Sequence, residues 1–151
     1  MLALYNRAVG AVSGRLPEGI ALLVLRIALA GIFWRSGRTK IEDGTLFSIS
    51  DTTYFLFAEE YSGVPLPSDF AAVMATISEH LFPILLVIGL FTRLSALALL
   101  GMTLVIQLFV YPEAWWQVHI LWAAMCLVLI ARGAGQFSLD ALLTRKASNA
   151  D

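Results

Sequence analysis

The sequence is short of charge and nearly devoid of cysteine. Only 14% of its 151 residues are Asp, Glu, Lys or Arg, against about 25% in soluble domains. The single cysteine, Cys126, rules out an internal disulfide, a C-x-x-C redox pair and a tetrahedral cysteine metal site. There is no basic excess either. Ten Lys and Arg face eleven Asp and Glu, a net charge of −1, which excludes the polybasic surface that binding to a nucleic-acid backbone requires. No Walker loop, G-x-G-x-x-G fingerprint, metal-spaced cluster or serine-nucleophile motif occurs along the chain.

What is plentiful is apolar. Apolar residues make up 59% of the chain, with a mean hydropathy of +0.80. A chain of about 150 residues leaves roughly a third of its unfolded surface exposed after folding, so so much apolar material calls for a lipid-facing surface. Four runs, at about residues 20–37, 70–91, 94–111 and 116–131, approach the roughly 20 residues that a hydrocarbon core demands. Each predicts a spanning helix, because in lipid only a helix or a closed barrel satisfies its own backbone, and four segments are too few for a barrel. The first run lacks a small-x-small cleavage site and is followed by Arg35, Arg38 and Lys40, so it is expected to be retained.

The connections give the architecture. Those between the second, third and fourth runs are short, which makes these helices consecutive antiparallel neighbours. The connection from Ile41 to Asp69 is long, acidic and aromatic, and its stretch Thr52–Tyr61 predicts a short interfacial helix. The expected fold is an all-α integral membrane four-helix bundle, one domain over residues 1–151, with a long, partly helical extracytoplasmic loop at 41–69 and a cytoplasmic tail at 132–151. Arg7, Arg15, Arg93, Arg132, Arg145 and Lys146 fall on one side, and Arg35, Arg38 and Lys40 on the other. This six-to-three bias places both termini in the cytoplasm, in a bacterial-type inner membrane.

Ionisable residues at membrane depth are expensive, so they turn inward and find partners. Glu79 and His80 sit mid-way along the second run, Arg26 and Arg35 in the first, Gln107 in the third and His119 in the fourth. Arg35, Glu79, His80, Gln107 and His119 gather in the outer half of the bundle and form the candidate pocket. The cation for Glu79 is expected from Arg26 or Arg35, either as a packing pair or as a working site. Arg93, at a tight turn, is expected to reach the carbonyls that end the second helix. Asp140 is expected to pair with Arg26 or Arg93 on the cytoplasmic side. Acidic and basic groups converging beside lipid permit a quinone, whose carbonyls accept hydrogen bonds while its tail stays in lipid. No metal site is expected.

Several stretches resemble the DoxX family of small four-helix membrane proteins. Leu25-Arg26-Ile27-Ala28, Gly31-Ile32-Phe33, Gly37 and Lys40 are similar to its first helix; Glu79 precedes a turn, Gly89-Leu90-Phe91-Thr92-Arg93, like that of the family; and Gly135-Gln136-Phe137-Ser138-Leu139-Asp140 resembles its ending. Ser36 departs from the pattern, which often has a His there. The resemblance implies an inner-membrane subunit that supports quinone-linked or other redox chemistry with a partner protein, and it marks Arg26, Glu79, Arg93 and Asp140. The competing reading is a non-catalytic anchor or scaffold that recruits a soluble partner. A small transporter fits less well, because the inner halves of the second and fourth runs are apolar. Whether copies of the chain associate with each other stays open.

Overall fold

A computed structural model describes residues 13–148 continuously, together with residues 1, 2, 5, 9 and 10. Arg7 and the last three residues of the tail lie outside the described residues. Four helices are long and apolar enough to cross a membrane. α1 is Arg15–Arg38, and α2 is a short helix, Asp51–Glu59, within the long connection. α3 is Ser68–Ile88 and α4 is Thr92–Phe109. The fourth span begins as a tight 3-10 turn, Pro112–Ala114, widens into a π turn, Trp115–His119, and continues as α5, Ile120–Arg132. α6, Leu139–Ser148, closes the described chain. Among the described residues there is no strand, only an isolated antiparallel bridge between Ile41 and Ile49.

α1 starts a turn before the apolar run does. Pro17 is harmless in a first helical turn, where its missing N–H has no partner to lose. Glu18, in the same turn, reaches across to Arg132 at the end of α5. Hydropathy is blind to such a polar first turn.

The spans form a ring in which α1 and α4 each pack against α3 and α5. Leu22, Leu29 and Phe33 of α1 meet Leu86 of α3, Leu99 of α4, and Cys126 and Leu129 of α5 at the centre. Ala30, Ala72 and Ala96, all buried, keep the helices close, as small residues do between membrane helices. Larger residues point outward: Ile27, Ile77, Leu97 and Leu121 are each at least half exposed. A shell of this kind is costly in water and suited to acyl chains. The protein is a multi-pass membrane protein.

One end of the bundle is tied by polar contacts among the three stretches singled out in the sequence. Arg26 is 0% exposed. Its Nη1 donates to the carbonyls of Leu86 at 2.9 Å and Val87 at 3.3 Å, and its Nη2 to the carbonyl of Phe137. Gly89 ends α3 with a left-handed φ of 69°; a Cβ there would strike the Arg26 guanidinium and lie 2.5 Å from Ser138 Cβ. The Asp140 carboxylate accepts the backbone N–H groups of Phe91 and Thr92 at 2.9 and 3.0 Å and so caps α4 from a distant part of the chain. The Asp140 N–H returns to the Gly89 carbonyl at 2.9 Å. The expected partners are thereby redistributed. Arg26, not Arg93, reaches the carbonyls at the end of α3, and Asp140 meets backbone N–H groups instead of an arginine side chain.

Removing either side chain strands buried polar backbone, which costs about 1–3 kcal/mol per group. Arg26→Met should therefore lower stability by about 3 kcal/mol or more, and Asp140→Ala by about 1–2 kcal/mol, the usual value of a lost cap. Thermal unfolding in detergent measures both; equal melting temperatures for the two variants and the unmodified protein would contradict the assignment.

Candidate functional site

The half of the bundle beneath α2 is organised around Glu79. α3 presents this carboxylate toward α1, and Gly37 lets the two helices touch there. A Cβ on Gly37 would lie 3.1 Å from Glu79 Cβ and 2.9 Å from His80 Cε1. α1 then stops. Thr39 caps it, and the Lys40 N–H turns back to the Gly37 carbonyl at 3.0 Å. That turn sends the Lys40 side chain inward, where Nζ donates to Glu79 Oε2 at 2.8 Å and to Ser36 Oγ at 3.2 Å. The two side chains are 9% and 3% exposed. The cation for Glu79 is thus Lys40, not Arg26 or Arg35. Pro83, four residues after Glu79, has no N–H to return to the Glu79 carbonyl, which loosens the ladder of α3 beside the pair.

The pair forms the polar end of a cleft of about 240 Å³. Met74, Ala75 and Ser78 of α3 make one wall, and Met102, Val105 and Ile106 of α4 the other. Phe57 and Tyr61 cover it from the outer side. Phe57 also packs on Ala71 and Ala72, which seats α2 on α3. Its ring stacks on Tyr61 with centroids 4.3 Å apart. Burial, reinforced by Tyr111, Glu79 and Glu60, pushes the Tyr61 hydroxyl up to about 12, so it stays protonated as a donor. Tyr111, after α4, donates its hydroxyl to Glu60 Oε2 at 2.6 Å and closes the cover over the cleft. That hydrogen bond, more than burial, raises the Tyr111 phenol above its ordinary value.

The other expected pocket residues lie elsewhere. Gln107 and His119 form their own unit: Gln107 Nε2 donates to the Pro112 carbonyl at 2.7 Å, and its Oε1 pairs with His119 Nδ1 at 2.7 Å. The π turn directs His119 into the bundle, against Trp122 at 5.3 Å, so the pair braces the α4–α5 turn and does not line the cleft. His80, one residue past Glu79, points about 100° away from it. Its Nδ1 lies 2.7 Å from the Thr76 carbonyl, and its ring meets the edge of Trp34 in a separate lipid-side groove with Phe47 and Ile77. Arg35 is exposed at the end of α1. Among the described residues no three His, Cys, Asp or Glu side chains converge as a metal site would require.

Lys40, Ser78 and Tyr61 are the residues that sequence reasoning passed over. Lys40 carries two signals in the sequence, a loop charge and the close of the first-helix stretch Gly37–Lys40, and neither points it at Glu79. Whether Lys40 stays outside or folds back depends on the turn at Thr39, which no periodicity encodes.

A buried ion pair is fragile to half-removal. Glu79→Gln should destabilise the protein by about 3–5 kcal/mol, since it leaves the Lys40 ammonium without a counter-charge, whereas Lys40→Met combined with Glu79→Leu should recover most of the loss. Melting temperatures of the single and double variants measure the difference. A double variant no more stable than Glu79→Gln alone would show that the pair is not the operative contact.

Comparison with known proteins bears on the family of the chain. The family model described as DoxX matches residues 21–112, from α1 to the end of α4. A protein of Haemophilus influenzae, described only as uncharacterized, is 33% identical over 144 residues, covering 85% of this chain and 86% of its own length. No solved structure matches the chain. The matched segment contains Arg26, Gly37, Lys40, Glu79 and the Gly89–Arg93 turn, and it spans more than half of the sequence: the chain belongs to the DoxX family.

Proposed function

We propose that the protein is an inner-membrane subunit whose outer cleft holds the head group of a lipophilic carbonyl compound, a quinone, for redox chemistry carried out with a partner protein. The observation that carries this reading is a buried Lys40–Glu79 pair at the end of an otherwise apolar cleft. Packing alone gains little from such a pair, because the desolvation of two charges consumes most of their attraction. A head group with ring carbonyls fits the donor set: the Lys40 ammonium and the Tyr61 hydroxyl donate, and Glu79 holds or releases a proton. The volume of about 240 Å³ suits a single ring, being just below the usual range for drug-sized ligands. Met74 and Val105, each about two-fifths exposed, lie where a tail would leave toward lipid.

A quinone, when bound, supplies two-electron chemistry coupled to protons. Lys40 would orient one carbonyl, Glu79 would exchange the proton, and the Phe57–Tyr61 cover would exclude water. In this reading the electrons are supplied by the partner protein, and the buried Cys126 takes no part in the cleft. A scaffold role is favoured by a different observation, the loop residues Leu46 and Phe47, 62% and 90% exposed beside α2. The two readings separate on one variant. If the quinone reading holds, Lys40→Met/Glu79→Leu remains folded and inserted but loses the quinone that copurifies with the unmodified protein, as measured by solvent extraction and native mass spectrometry. Equal quinone content in both proteins would defeat the reading.

The same proposal treats the chain as one domain with both termini in the cytoplasm. Arg15 and Arg132 stand at one end of the bundle and Arg35 and Arg38 at the other, while Lys40 is neutralised by Glu79, which sharpens the charge difference between the two sides. In intact cells carrying Cys126→Ala, an impermeant thiol reagent should label Ser62→Cys and spare Ser148→Cys. The opposite pattern would invert the topology.

A further inference from the structure

The end of the bundle that carries both chain ends bears a second feature, independent of the cleft. A groove of about 730 Å³ runs between the α3–α4 turn, the end of α5 and the start of α6. Arg93, Arg132 and Arg145 stand on its walls. A smaller hollow of about 280 Å³ adjoins it, shares Arg132 and Arg145, and adds Arg15. Four arginines from four helices therefore stand at one end of the bundle. Two acids accompany them, Glu18 and Asp140. Glu18 is engaged by Arg132, and Asp140 delivers both oxygens to the N–H groups of Phe91 and Thr92. Arg93 and Arg145 make no hydrogen bond or ion pair to the described residues. Arg93 instead lies along Gly133, where an added Cβ would come within 3.3 Å of its Nε.

The rim of the groove is apolar. Phe91 and Leu94 are each 60% exposed, and Leu143 on α6 is more than half exposed. Cations without partners beside exposed leucines, at the end of a membrane helix bundle, match an amphiphile with an anionic head and acyl tails. A soluble anion would have no use for the rim, and an acidic protein segment would have no use for its position at bilayer level. We propose that this groove binds the phosphate head group of an anionic phospholipid, with Arg93 and Arg145 as the principal contacts and the tails lying against Leu94 and Leu143. The arginine guanidinium is suited to this, since its planar fork meets two phosphate oxygens at once.

The proposal is tested on full-length protein, purified and delipidated in a zwitterionic detergent, by following melting temperature during titration with cardiolipin, phosphatidylglycerol, phosphatidylcholine or inorganic phosphate. Cardiolipin and phosphatidylglycerol should stabilise the protein, while phosphatidylcholine and inorganic phosphate should not. Each arginine near an anionic surface is worth about 1 kcal/mol, or about fivefold in affinity. Arg93→Gln/Arg145→Gln should therefore weaken the apparent affinity for cardiolipin about twenty-fivefold while leaving the lipid-free melting temperature in place. If the double variant fails to fold, Arg145→Gln alone, on exposed α6, should still give the fivefold loss. Equal stabilisation by phosphatidylcholine would refute the head-group selectivity. An unchanged cardiolipin affinity in the variants would refute the site, and a full effect from inorganic phosphate would assign it to a free anion instead of a lipid.

Discussion

A guanidinium buried at the end of a membrane bundle constrains everything around it. The Nε of Arg26 has no hydrogen-bond partner among the described residues, but its two terminal nitrogens find acceptors where they lie. The carbonyls that end α3 meet them, at the negative end of that helix. The Phe137 carbonyl, fifty residues further along the chain, adds a third acceptor and draws the segment after α5 beneath the bundle. Gly89 leaves the space the guanidinium occupies, and the same turn starts α4 under the cap of Asp140. One buried charge thus ties the middle of α1 to the end of α3 and to the tail through backbone carbonyls, and the Asp140 carboxylate adds the start of α4.

The opposite end of the bundle, beneath α2, solves the same problem by another route. Glu79 is met by a flexible lysine and not by backbone. A pair of side chains can separate, exchange protons or accept a third group between them, whereas Arg26 in its ring of carbonyls has no such freedom. The bundle therefore has a fixed polar end and an adaptable one. The apolar core around Leu29, Phe33, Leu86 and Leu99 insulates them from each other.

The spans were legible because lipid imposes a length and a composition on each, and α2 was visible as an aromatic stretch between acidic residues. The contacts that organise the two ends were legible only as residue identities. Arg26, Glu79 and Asp140 stood out as costly or as parts of recognisable stretches, but their partners are set by packing between residues 39 to 111 positions apart. A helical step of one residue is enough to separate the faces of Glu79 and His80, but depth alone grouped Gln107 with the cleft, though the turn at Pro112 claims its amide. In each case a short-range geometric detail decided which side of a helix met which neighbour.

Lys40 is held twice. Its ammonium is bound to Glu79, while its carbonyl accepts from Thr53 Oγ1 at 2.9 Å and from the Ser50 N–H at 3.1 Å, at the very start of α2. The outer helix and the buried carboxylate are therefore mechanically in series through one residue. A displacement of α2 pulls on the residue whose ammonium holds Glu79. By thermodynamic reciprocity, any coupling between the seating of α2 and the Lys40–Glu79 contact acts with equal size in both directions.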